Sequence, residues 1–93
     1  MGKYILEISK AAEKDLSLLK RSGQKSDIKK VAELIKELSE HPRSGTGHPE
    51  QLRNYEGEVW SRKVNKKDRL VYEIYEDEIV VVVIQALGHY DDK

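Results

Sequence analysis

The sequence predicts an α+β domain of order β-α-α-β-β-β: an antiparallel meander sheet with an N-terminal helical hairpin packed on one face. Three observations predict it. The first half holds two stretches with apolar residues three and four apart, and the second holds three runs of strand formers divided by short polar turns. The length, 93 residues, leaves room for one core. Residues 1–93 are therefore read as a single domain.

Tyr4-Ile5-Leu6-Glu7-Ile8 reads as a short strand. Ser9 is a candidate N-cap for a helix that runs to about Ser22 and stops at Gly23. Ala12, Leu16 and Leu19 give it one narrow apolar stripe. Ser26 reads as the second N-cap. Ile28, Val31, Ile35 and Leu38 carry that helix to about Glu40, where His41-Pro42 ends it because the residue before proline resists helical geometry. Pro42 to Glu50 holds both prolines and two of the six glycines, and reads as loop. The three strand-like runs are Val59–Val64, Arg69–Tyr75 and Ile79–Leu87. Their short connections favour antiparallel neighbours. The last run is apolar at every position from 79 to 84, which predicts a central strand covered on both faces.

Composition narrows the function. Seventeen Lys+Arg balance seventeen Asp+Glu, which excludes both a polybasic tail and a polyacidic disordered chain. With no cysteine, thiolate nucleophiles, disulfides and cysteine-held metals are excluded. The longest apolar run is the six residues from Ile79 to Ile84, too short to cross a bilayer, and the first residues lack a signal-peptide stretch. The expectation is a cytoplasmic protein with no membrane partner. Charge is nonetheless uneven. From Arg43 to Arg69 there are seven basic residues and four acidic ones, a local excess that suits either a phosphate-binding surface or a solvated strand face.

Several residues carry a plainer reading as well. Trp60 and Tyr72 suit a core or groove wall, and Tyr72 alternates with Leu70 and Ile74 on one sheet face. His41 and His48 lack metal-ligand spacing and read as surface histidines. A glutamate after proline, an arginine opening a strand and a histidine near a chain end are each unremarkable alone.

Together they are not. The pattern Gly45-x-Gly47-x-Pro49-Glu50-x-Leu52, Trp60-Ser61-Arg62, Arg69-Leu70-Val71-Tyr72 and His89-Tyr90 resembles the YoeB/Txe toxins of the RelE/ParE superfamily of bacterial toxin–antitoxin systems. The resemblance covers residues 28–90 in register, and the first helix by topology. It implies a RelE-like fold and a ribosome-dependent, metal-independent mRNA endoribonuclease that cleaves mRNA in the A site and inhibits translation. No cofactor is implied. Glu50 matches the general base, His89 the general acid, Arg69 the stabiliser of the phosphorane, and Tyr90 a residue that positions the nucleotide. Arg53 and Arg62 match supporting RNA phosphate contacts. The implied partners are a YefM/Phd-type antitoxin, the bacterial ribosome with its mRNA, a second copy in a homodimer, and operator DNA only through the antitoxin complex. The alternatives are a ParE-like inhibitor of DNA gyrase, a degenerate module that only binds antitoxin, and a small RNA-binding domain without catalysis.

Chemistry fits these residue types. RNA brings its own nucleophile, the 2′-OH, so the enzyme must supply a base, an acid and a cation for the added charge on phosphorus. An imidazole with an ordinary pKa of about 6.5 can act as that acid near neutrality. Two departures stand out: Asp91-Asp92-Lys93 follows the His-Tyr pair, and Arg53 stands where some relatives carry lysine. Adjacent residues also face opposite ways in a regular strand, so His89 and Tyr90 share a site only if the strand has ended before them.

Overall fold

Residues 3–86 are described in the computed structural model of the chain. β1 (Ile5–Ile8) enters α1 (Lys10–Ser22) through Ser9, whose hydroxyl accepts from the Ala12 N–H at 3.1 Å. α1 ends at Gly23 in the left-handed conformation (φ 75°), where the missing Cβ removes the steric cost. α2 (Lys25–Leu38) follows after only Gly23 and Gln24. It starts one residue before the expected cap Ser26, because Ser22 Oγ accepts from Gln24 N and fixes the turn early.

Four more strands complete the chain: β2 (Glu50–Leu52), β3 (Glu58–Lys63), β4 (Arg69–Tyr75) and β5 (Val80–Gln85). They form one sheet of order β1-β5-β4-β3-β2, with β1 parallel to β5 and every other pair antiparallel. The predicted meander is present and gains two features. The three-residue β2 starts at Glu50, the last residue of the predicted loop, and β1 pairs in parallel at the far edge. The helices therefore carry the chain across one sheet face, from the β1 edge to the β2 edge, and the meander walks back.

That face holds the core. Leu70, Tyr72 and Ile74 of β4 and Val81 and Val83 of β5 pack with Ala12 and Leu19 of α1 and Val31, Leu34 and Leu38 of α2. β4, not β5, is the middle strand. In β5 the core-facing Val81 and Val83 are fully buried while Val80, Val82 and Ile84 are half-buried, so its second face is only partly covered. Among the described residues no helix is long and apolar enough to cross a membrane.

Candidate active site

Strand alternation puts a distinct set of side chains on the face opposite the helices. Cross-strand register aligns Glu50 of β2 with Ser61 of β3, Ser61 with Val71 of β4, and Val71 with Gln85 of β5. One pair further along, Lys63 of β3 faces Arg69 of β4. Glu50 and Arg69 meet here: an Arg69 Nη1 lies 3.8 Å from a Glu50 Oε1. Their side chains remain 27% and 67% exposed, respectively, so the pair is open to a solvent-borne ligand. An exposed ion pair this long contributes at most about 1 kcal/mol to stability. Like charges directly opposite on a sheet are destabilising, and Lys63 opposite Arg69 is such a pair. An anion on this face relieves that repulsion.

β5 is irregular where it pairs with this row. Tyr72 pairs with Val83 but Val71 pairs with Gln85, so β5 carries an extra residue there. Such bulges bend a strand and re-aim its side chains. Just past the bulge, Ala86 N–H donates to Asp15 of α1 at 3.1 Å, and Ser9 N–H donates to Val83 O at 2.9 Å. His89 and Tyr90 lie outside the described residues, four and five positions beyond Gln85.

Glu50 is delivered by the loop from His41 to Pro49, and one buried side chain organises that loop. Arg62 is fully buried on the core face of β3. Its Nε donates to Tyr72 Oη at 3.0 Å, one Nη to Glu37 Oε1 at 2.8 Å and Thr46 O at 3.3 Å, and the other Nη to Ser44 O at 2.8 Å and to His41 O. All five donors of the fork are used. Tyr72 Oη donates in turn to Pro42 O at 2.6 Å, and burial pushes its phenol up, keeping the proton in place. The Thr46 hydroxyl and N–H, joined by Arg62, hold the Glu37 carboxyl below its ordinary value despite partial burial. Gly47 sits at φ 87°, where a Cβ would meet Leu34 Cδ2 and Lys63 O at 3.1 Å. Lys63 N–H also donates to Gly47 O at 2.7 Å, stitching the loop to β3.

A second cluster ties down the start of the loop. Arg43 donates to both Glu58 oxygens at 2.6 and 2.9 Å and to Glu76 at 2.8 Å. Tyr4 Oη accepts from Arg43 at 3.2 Å and donates to Glu76 at 2.7 Å. Arg43 holds the Glu58 and Glu76 carboxyls low, with help from the Trp60 indole on Glu58 and the Tyr4 hydroxyl on Glu76. These carboxylates raise the Arg43 pKa in return.

The sequence profile of the YoeB-like toxin of bacterial type II toxin–antitoxin systems matches residues 9–90. The chain belongs to this family. It is 37% identical over 63 residues to the toxin YoeB of Escherichia coli K12, covering 68% of this chain and 73% of the relative. A YoeB/ParE toxin from Agrobacterium tumefaciens superposes with a TM-score of 0.82 at 27% identity, over 92% of this chain and 99% of the other. Two Staphylococcus aureus structures follow at 28% identity. A YoeB dimer gives a TM-score of 0.77, covering 95% and 99% of the two chains, and a heterotetrameric YoeB–YefM complex gives 0.74, covering 94% and 98%. The chain is thus a toxin of the YoeB/RelE type.

In this YoeB-like toxin the expected site residues separate into three groups. Glu50 and Arg69 come together, and Arg53 is exposed just past β2. Arg62 does not join them: it lies on the opposite sheet face with every donor engaged by the protein, and none remains for an RNA phosphate. Lys63, passed over in the motif, occupies the site face instead. Alternation was the available signal. Trp60 and Arg62 share the core side of β3, and Val64 just past its end continues the alternation, which places Ser61 and Lys63 on the Glu50 face. The Ser61 hydroxyl is buried without a partner among the described residues.

Proposed function

We propose that this toxin is a ribosome-dependent mRNA endoribonuclease that cleaves mRNA in the A site and so inhibits translation. The observation that supports it most is the solvent-open Glu50–Arg69 pair, with Lys63 beside it on the face away from the helices. Glu50 removes the proton from the 2′-OH, whose oxygen attacks the adjacent phosphorus. Arg69, as a planar fork, neutralises the charge gained by the non-bridging oxygens. His89 gives its proton to the departing 5′-oxygen as the P–O5′ bond breaks, and Tyr90 positions the nucleotide. The products are a 2′,3′-cyclic phosphate and a 5′-hydroxyl. Atoms and charge balance without a metal, because the RNA supplies the nucleophile and the two side chains exchange one proton each. Arg53 and Lys63 serve as phosphate contacts.

The ribosome presents the mRNA and aligns it. A YefM-type antitoxin restrains the toxin in the cytoplasm, as the existence of a Staphylococcus aureus YoeB–YefM complex suggests. A homodimer follows the precedent of the dimer from the same organism, and operator DNA is reached only through the antitoxin complex. The test is to map 5′-hydroxyl ends on cellular mRNA after induction of wild type and of Glu50→Gln. Codon-phased 5′-hydroxyl ends that fall about 10²–10⁴-fold in the variant support the reading. Growth arrest that persists in Glu50→Gln without such ends overturns it and favours a gyrase-inhibiting toxin.

A further inference from the structure

A basic pocket adjoins Lys63, and apart from that residue its lining has no part in the reaction. It has a volume of about 400 Å³ and is lined by Lys30 of α2, Gly47 and His48 of the loop, Lys63 at the end of β3, and Asn65 and Lys66 of the β3–β4 turn. Three lysines and a histidine line it, with no carboxylate among them. The ion pairs of the described residues use Arg43, Arg62 and Arg69 as cations, and none of these lysines. Asp27 and Asp68 approach through Asn65, whose amide donates to both at 2.9 and 3.0 Å.

The pocket is held in shape. Asn65 Oδ1 accepts from the Lys67 and Asp68 N–H groups at 2.9 and 2.7 Å, which fixes the turn carrying Lys66. Lys63 N–H to Gly47 O fixes the opposite wall. The pocket shares one residue with the site face. Lys63 lines it and faces Arg69 across β3 and β4, and His48 precedes Glu50 by two residues.

We infer that this pocket binds a backbone phosphate of the same RNA strand whose phosphodiester reacts at Glu50 and Arg69. The inference rests on the nuclease reading and names a second RNA subsite for it. A strand bearing one negative charge per nucleotide, once seated at Arg69, meets Lys63 next and then Lys30 and Lys66. An acidic protein segment matches the charge of the pocket but gives no reason for Lys63 to line it and also face Arg69 across the strands.

The experiment measures binding of a short fluorescein-labelled single-stranded RNA to the Glu50→Gln chain by fluorescence anisotropy, at salt between about 50 and 200 mM KCl. The comparison is with the same chain carrying Lys30→Gln and Lys66→Gln. Each phosphate contact on a single strand contributes about 0.7 to the slope of log affinity against log salt. Loss of two contacts makes the slope shallower by about 1.4, with weaker binding at low salt. An unchanged slope and affinity overturns the subsite. So does a polyglutamate peptide whose binding is abolished by the two substitutions while RNA binding persists, which assigns the pocket to an acidic protein partner. Because cleavage is absent from this assay, its outcome separates from that of the nuclease reading: a slope change with no cleavage by wild type keeps the subsite and rejects the enzyme.

Discussion

Replacing Arg62 with methionine removes a side chain that is buried yet makes all five of its hydrogen bonds. The carbonyls of His41, Ser44 and Thr46 lose their donor, while Glu37 loses its ion pair and keeps both bonds from Thr46. Breaking a buried pair by deleting one partner typically costs about 3–5 kcal/mol. Glu37 keeps 30% of its side chain in solvent, so the charge left behind is partly hydrated and the lower end applies, about 3 kcal/mol. A chain of this length has total stability of about 5–14 kcal/mol, so the variant still folds but loses much of its margin. The expected fall in Tm is about 12–24 °C. Urea unfolding followed by the fluorescence of Trp60, the only tryptophan, reads the change directly. Arg62→Lys keeps the charge but lacks the planar fork and two of the donors, so it restores only part of the loss. A loss below about 1 kcal/mol for methionine, or full recovery with lysine, refutes the argument that the fork holds the loop.

Three further outcomes follow from the site and its supports. Arg69→Ala lowers cleavage by about 10²–10³-fold through kcat, with unfolding little changed because its ion pair with Glu50 is long and exposed; steady-state kinetics on ribosome-bound mRNA and urea melts check both halves. Gly47→Ala destabilises by about 1–2 kcal/mol, since the residue holds φ 87° and its new Cβ meets Leu34 and the Lys63 carbonyl; thermal unfolding measures it. The carboxyls of Glu37, Glu58 and Glu76 all sit low in the folded chain, so they bind protons less readily folded than unfolded. Their stabilisation is therefore complete above about pH 4.3 and drains away as pH falls through the lowered folded values. Urea midpoints should hold steady near neutrality and drop under acid; a midpoint that rises on acidification contradicts this.

Much of the fold was legible because local signals agreed with tertiary demands. Ser9 and Gly23 bound α1 as a cap and a left-handed stop, and β4 occupies Arg69–Tyr75 with Tyr72 in the core, as its alternation indicates. Two features were hidden for physical reasons. β2 spans only three residues after Pro49, too few to show alternation, and it exists because β3 offers Val59, Trp60 and Ser61 as partners. β1 pairs with β5 across more than seventy positions, a choice that no local pattern encodes.

Of the candidate residues singled out in the sequence, the sheet brings Glu50 and Arg69 to one face. Alternation indicated the direction of Arg62, but its partners were not legible. Arginine is rarely buried unless paired, and its pairing depends on Glu37 and on carbonyls of a loop whose path the sequence does not reveal. The two neighbours Arg62 and Lys63 look alike in composition, yet the pleat sends one into the core and the other to the site.

The most direct measurement uses ribosome-bound mRNA with a single 2′-deoxynucleotide at the position whose 2′-oxygen would attack. If Glu50 and Arg69 serve one phosphodiester through internal attack, cutting at that position disappears while an all-ribose message is cut to a 5′-hydroxyl end. Cutting that continues at the deoxy position means that some other nucleophile does the work, and the roles given to Glu50 and Arg69 are then untenable.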